Sequence, residues 1–443
     1  MMRFATQELV QWMNKKTRMP LLIRGARQIG KTFLVESFAG EYFENFFNIN
    51  FEHHPEYKAP FQQSLDPEII LRGLELIAQN ENKVIRGKTL LFLDEIQECP
   101  EAIQALRYFK EKMPDLHVIG AGSLLEFVLN DADFRMPVGR VEFLYLKPCS
   151  FREFLIALGQ QKFSDFLSEV KLTDPFPEVF HEQLVGLLNE YLVIGGMPAV
   201  IHAYANDSNF IECQQIQSSL LQTYRSDFGK YAQKTHYENL KNLFEKVPGI
   251  VAQNFKYADL DRELRAEAIK KALKSLQYAG LLSPVYFSSA SGLPLSSDQL
   301  EKRFKLLFLD VGLVARAQYL PIEAFIRREV NTQSRGQLVE QFVGQELLSI
   351  QPFYEPANLY YWQRDKPGSQ AEVDYLISFW GKIFPVEAKS GHSHWLKSLK
   401  ILMAEKSLPI GIQISEHPLG FADSILSVPL YMVQELPRLL KGL

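Results

Sequence analysis

The chain has 443 residues, room for about two to four domains, and its 47% apolar and 23% charged content is that of an ordinary globular protein. A formal net charge of −4 excludes a chain that is basic throughout, so any nucleic-acid surface must be a local patch. No apolar run approaches the ~20 residues of a membrane span, the N-terminal apolar stretch is too short for a signal peptide, and Cys99, Cys149 and Cys213 have neither metal nor disulfide spacing; these features predict a cytoplasmic protein with no membrane partner.

The first elements announce phosphate chemistry. Met19–Ile23 is an apolar run suited to a buried strand, Gly25-Ala-Arg-Gln-Ile-Gly-Lys-Thr32 follows, and Phe33–Phe38 can continue as a helix. The eight-residue string is a complete G-x-x-x-x-G-K-[ST] loop. Gly25 and Gly30 let backbone N–H groups approach phosphate oxygens, Lys31 brings a cation to the β- and γ-phosphates, and the Thr32 hydroxyl is a Mg²⁺ ligand. Asn45–Phe51 reads as an inserted strand. Thr89–Glu95 is a strand apolar on both faces that ends in two carboxylates: Asp94 is placed to hold the Mg²⁺ shell and Glu95 to polarise an attacking water. A helix over 101–110 and a strand over 117–123 come next, and Ser123 is the candidate to orient that water. Arg140, with Arg135 in reserve, is the candidate arginine for transition-state charge, from its own subunit or a neighbour in a homo-oligomer.

From residue 151 the pattern is helical. Tyr191–Pro198 ends one helix at Gly195-Gly196, and 211–231 is a long helix whose Arg225, Asp227 and Lys230 read as a salt-bridged face or a nucleotide sensor. Tyr257–Leu264 and a second helix with an apolar stripe at Ala266, Ile269, Leu273 and Leu276, closed by Gly280, suggest a helix-turn-helix; 281–287 and 304–309 would pair as its wing. Lys270, Lys271 and Lys274 suit phosphate contact with DNA.

The last segment carries a second constellation. Glu372–Phe379 and Ile383–Lys389 are strands joined by a turn at Trp380-Gly381-Lys382, so Glu387 and Lys389 share a face and Asp374 can reach it. Glu340 lies on an upstream helix, and Glu372 shares the face of Asp374. This arrangement resembles the PD-(D/E)xK nuclease site, in which Asp374, Glu387 and Glu340 would hold Mg²⁺ and Lys389 would position water or stabilise negative charge. Tyr360–Arg364, Lys366 and 392–400 would line a nucleic-acid groove.

The strings Gly25–Thr32, Leu91–Gln97, Gly139-Arg140, Leu146–Phe154, Tyr191–Pro198 and Lys305–Leu313 resemble a prokaryotic AAA+-type ATPase family with a C-terminal DUF4143 domain. The resemblance implies ATP binding and hydrolysis. The expected architecture is α/β: a P-loop ATPase domain with a parallel sheet over 1–150, a helical region over 151–235, a winged-helix-like region over 236–325 and a restriction-endonuclease-like domain over 326–443. The expected function is an ATPase whose nucleotide state gates a nuclease-like domain on DNA. The alternatives are a DNA-remodelling ATPase with a degenerate nuclease fold, or an ATP-driven switch on a protein partner.

Overall fold

The computed structural model describes residues 2–79, 83–130, 134, 139–231, 234–254, 266–327, 332–364, 371–391 and 396–443. Five short apolar strands, β1 (Leu21–Arg24), β2 (Asn45–Asn50), β3 (Thr89–Asp94), β4 (His117–Ala121) and β5 (Glu142–Tyr145), form a parallel sheet in the order β2-β3-β4-β1-β5. Every residue of β3 and β4 is buried, because helices cover both faces. Helix Lys31–Tyr42 packs on one face through Leu34, Val35, Phe38 and Ala39, and helix Pro100–Lys112 on the other through Ile103, Leu106 and Phe109. All five strands end on the same edge, so the segments after β1, β3 and β4 converge there: this is where a doubly wound sheet places its ligand.

A helical region follows. Helix Glu178–Ile194 stops at Gly195, whose φ of 78° only glycine takes at little cost. Helix Phe210–Tyr231 packs on helix Val311–Ala317, and helix Lys234–Lys246 on helix Ala266–Tyr278. The expected helix at 257–264 lies outside the described residues.

The two strands expected as a wing pair with each other, and the sheet continues beyond them. Strands β6 (Leu282–Phe287) and β7 (Leu300–Phe308) do pair antiparallel, yet β6 also pairs in parallel with β8 (Leu359–Gln363). They therefore form one end of an eight-stranded mixed sheet, continued by β9 (Glu372–Phe379), β10 (Lys382–Ala388), β11 (Gly411–Ser415), β12 (Gly420–Ala422) and β13 (Ile425–Pro429), in the order β12-β13-β11-β10-β9-β8-β6-β7. Leu282, Val285 and Phe287 of β6 are buried, so both faces of the strand are covered. A boundary at 325/326 would cut through this sheet. Helix Thr332–Ser349 packs on it, with Leu338, Val339, Phe342 and Val343 buried.

Candidate functional site

The phosphate loop is held from several sides. Lys31 Nζ donates to the carbonyls of Gly25 at 3.0 Å and Ala26 at 2.8 Å, filling the loop's concavity with its own ammonium. Burial pulls that ammonium's pKa down to about 8 even though Glu95 and Asp94 favour the charged form. Arg3 donates to Ile29 O at 3.0 Å, and Tyr224 of helix Phe210–Tyr231 donates its hydroxyl proton to Arg27 O at 2.9 Å. Gly30 has φ 87° and starts helix Lys31–Tyr42, whose amide end faces the loop.

Opposite the loop stand the acids of β3. Asp94 Oδ2 accepts from Thr32 Oγ1 at 3.0 Å and from Asn50 Nδ2 at 3.1 Å; burial, and then Glu95, push its carboxyl above the usual range. Glu95 sits in left-handed backbone at φ 48°, so its side chain leaves the strand direction. Its Oε2 accepts from Gln97 Nε2 at 2.6 Å and from Ser123 Oγ at 3.4 Å. Lys31, Thr32, Asp94, Glu95 and Ser123, expected from their strings, are thus one constellation. Asn50 and Gln97 were not anticipated; the only sequence sign of them was a polar residue at a strand end and another two places after the acid pair.

Arg140 is elsewhere. It precedes β5, whose first residue, Glu142, pairs with Leu21 at the start of β1, so it lies at the edge of the sheet away from the phosphate loop. There it bonds Glu111 at 3.1 Å. It cannot serve the loop of its own chain, and only a neighbouring subunit's loop remains open to it. Arg135, its reserve, lies outside the described residues.

A cavity of about 510 Å³ adjoins the loop, walled by Gly25, Ser123 and Tyr145 on one side and by Tyr278, Glu346 and Asn358 on the other. The five-stranded sheet and the C-terminal part therefore share one opening.

The acidic constellation of the C-terminal sheet assembles as expected, with one member that sequence reading missed. The register Val386↔Tyr375 sets Glu387 beside Asp374, and Asp374 Oδ2 accepts from Ala388 N at 2.9 Å. Lys389 Nζ meets Glu387 Oε1 at 2.5 Å. The missed member is Lys305 of β7, only 1% exposed. Its ammonium meets Glu372 at 2.5 Å, Glu340 at 2.9 Å and Asp374 at 3.7 Å. Burial alone would lower its pKa, but Glu340, Asp374 and Glu372 together raise it. Burial pushes the carboxyls of Glu340 and Glu387 upward, and Asp374 adds to both. A lysine inside the apolar run Phe304-Lys-Leu-Leu-Phe308 at the end of β7 was the available signal.

The expected metal ligands Glu340, Asp374 and Glu387 stand around this cluster. Among the described residues no group of three or more His, Cys, Asp or Glu side chains is arranged to hold a metal ion. Lys305 places its ammonium among Glu340, Glu372 and Asp374, and Lys389 pairs with Glu387. Glu387 Oε2 is nevertheless buried without a hydrogen-bond partner among the described residues. Of the expected groove, Lys366 and 392–395 lie outside the described residues, Tyr361 and Trp362 are core, and Arg364 is tied to Glu405.

Comparison with known proteins matches three segments. Residues 17–155 match the family described as AAA domain, 185–324 match a domain of unknown function, DUF8612, and 335–431 match a domain of unknown function, DUF4143. The curated proteins give no match. Among solved structures, the Walker-type ATPase PABY2304 of Pyrococcus abyssi is 14% identical over 71% of this chain and 94% of its own, with TM-score 0.45. The Aeropyrum pernix ORC2 protein is 14% identical over 74% and 95%, TM-score 0.36. The Thermotoga maritima RuvB Holliday junction branch migration motor is 14% identical over 63% and 88%, TM-score 0.30. Residues 17–155 thus correspond to an AAA domain, and a DUF4143 domain follows in the C-terminal part.

Proposed function

We propose that the chain binds and hydrolyses ATP and that its nucleotide state controls how the C-terminal domain engages DNA. The observation that carries the first half is the set Lys31, Thr32, Asp94 and Glu95, joined by the Thr32–Asp94 bond at 3.0 Å. Their oxygen donors suit Mg²⁺, which when bound with ATP would be held by Thr32 and Asp94 and would neutralise charge between the β- and γ-phosphates. Lys31 would exchange the carbonyls of Gly25 and Ala26 for phosphate oxygens. Glu95, aimed by Gln97 and Ser123, would accept the proton of the attacking water. Glu95→Gln keeps the shape but removes the base, and is expected to lower kcat by about 100-fold or more, whereas Lys31→Ala should abolish nucleotide binding. Phosphate release and a nucleotide-binding titration check both; unchanged turnover in Glu95→Gln would remove the assignment.

DNA engagement is supported by Lys270, Lys271 and Lys274, exposed on helix Ala266–Tyr278 while Ile269, Ala272, Leu273 and Leu276 face inward. Replacing the three with alanine should weaken DNA binding and reduce the magnitude of the log Kd against log salt slope by roughly 0.9 for each phosphate that is no longer neutralised. A slope that does not change, or no DNA binding by the intact protein, would favour a protein client.

A second reading, in which the C-terminal domain holds DNA without cutting it, is favoured by Lys305. Four carboxylates around two ammoniums, one of them buried among three acids, form an internally paired cluster rather than an open cation site. Cleavage of DNA with Mg²⁺ or Mn²⁺ that is lost in Asp374→Ala would reject this second reading.

A further inference from the structure

With Arg140 at the far edge of the sheet, the phosphate loop has no arginine from the position that its sequence neighbourhood suggested. It has one of its own. Arg27 lies inside the loop, two residues after Gly25 and four before Lys31. Its Nη1 meets Asp227 Oδ1 at 2.6 Å, and its Nη2 lies 3.7 Å from Glu52. Asp227 stands one turn before the end of helix Phe210–Tyr231 and is buried. Lys230 on the same face bonds Glu52 at 3.0 Å and approaches Asp227 at 3.8 Å. Two carboxylates and two cations thus connect the phosphate loop to the end of one long helix.

We propose that Arg27 is the catalytic arginine of this site, acting in cis, and that Asp227 is its partner only while no γ-phosphate is present. The inference rests on the ATPase reading and adds a regulation to it. A guanidinium matches phosphate and carboxylate with the same fork of donors, so the two compete for it. The γ-phosphate carries more charge than Asp227, and Arg27 is half-buried rather than sealed, so it is free to turn. Once Arg27 turns, Asp227 is left as a buried carboxylate with Lys230 as its remaining partner, and the end of the helix must readjust. That helix is bonded further along to helix Val311–Ala317, where Arg316 Nε meets Ser218 Oγ at 2.8 Å. Helix Val311–Ala317 directly follows β7, the strand of Lys305. ADP lacks the competing group and leaves the latch closed.

The test uses the full-length chain and compares wild type, Arg27→Ala, Arg27→Lys, Asp227→Asn and Lys31→Ala. Steady-state turnover, affinities for ADP and ATPγS, and amide exchange over residues 218–231 are measured. Arg27→Ala should lower kcat by roughly 100-fold or more and weaken ATPγS at least tenfold, with ADP within about threefold. Arg27→Lys should rescue little, because an ammonium lacks the fork. Asp227→Asn, which keeps the shape, should tighten ATPγS relative to ADP. Exchange near Asp227 should speed up with ATPγS but not ADP, and show no such difference in Arg27→Ala. Equal losses for ADP and ATPγS in Arg27→Ala with kcat retained would make Arg27 a structural latch and overturn the proposal. If Arg27→Ala melts, Asp227→Asn decides: an unchanged ATPγS to ADP ratio also overturns it. Lys31→Ala separates the two levels, since ATPγS binding that survives it would sink the nucleotide reading itself and this inference with it.

Discussion

Two buried cations show how differently this chain treats charge. Among the described residues Lys31 bonds carbonyl oxygens and no carboxylate, so burial dominates and pulls its pKa down to about 8. Lys305 has three carboxylates and keeps its charge firmly. Removing one partner of such a buried network leaves the rest uncompensated, so Lys305→Met should cost about 3–5 kcal/mol of stability, measured by urea unfolding; a loss below about 1 kcal/mol would show that water already screens the cluster. His117 offers a pH signature. Its ring sits 4.8 Å from Phe43 and 5.9 Å from Trp12 at the start of β4, and burial, reinforced by Arg18, lowers its pKa to about 4 from 6.5. Between those values the unfolded chain binds a proton that the folded chain refuses. Stability should therefore be full above pH ~6.5 and fall as pH drops towards 4, by up to about 3 kcal/mol from this residue. His117→Phe should flatten that limb in denaturation curves at pH 7 and pH 4.5; an identical slope in both proteins would refute the assignment.

At the scale of elements, what was legible in the sequence was whatever carried local grammar. The phosphate loop is a continuous string, and β3 announced itself by an apolar run before two acids. The turn at Trp380-Gly381 was readable from the glycine between two strand patterns; both residues take positive φ, 48° and 74°, as a tight hairpin demands. The helix stop at Gly280 was equally readable, but not its second duty. Gly280 has φ 72°, and a Cβ there would come 3.1 Å from Ala26 N, inside the phosphate loop. A helix end thus touches the phosphate loop through the absence of a side chain, which no local pattern encodes. Gly280→Ala should cost about 1 kcal/mol from backbone strain and also weaken ATP, because the loop must shift. Calorimetric titration beside thermal melting checks the pairing; normal ATP affinity in a destabilised variant would confine the glycine to capping.

At the scale of the whole molecule, the sequence expectation failed where strands far apart in the chain join. β6 and β7 were correctly paired with each other, yet their addition to β8 across 50 intervening residues, 309–358, left no local trace. The same distance hid Lys305 from the acids it neutralises. An excised 326–443 fragment would therefore carry Glu340, Glu372 and Asp374 without that lysine and expose one edge of β8. It should be soluble only as a poorly packed species, with weak near-ultraviolet dichroism and rapid proteolysis, whereas extending it back to residue 281 should restore much of the protection. Equal protease resistance in the two fragments would place the sheet's stability elsewhere.

That shared sheet also imposes a timetable on synthesis. β6 and β7 leave the ribosome well before β8 exists, and at about 5–20 residues per second several seconds pass before the partner strand is made. Throughout that interval one side of β6 offers unpaired amides and carbonyls to any other nascent strand, the geometry from which edge-to-edge aggregation begins. Chaperone demand on this chain should therefore peak midway through translation, and slowing elongation between codons 309 and 358 should lower the soluble yield more than slowing it in the ATPase segment.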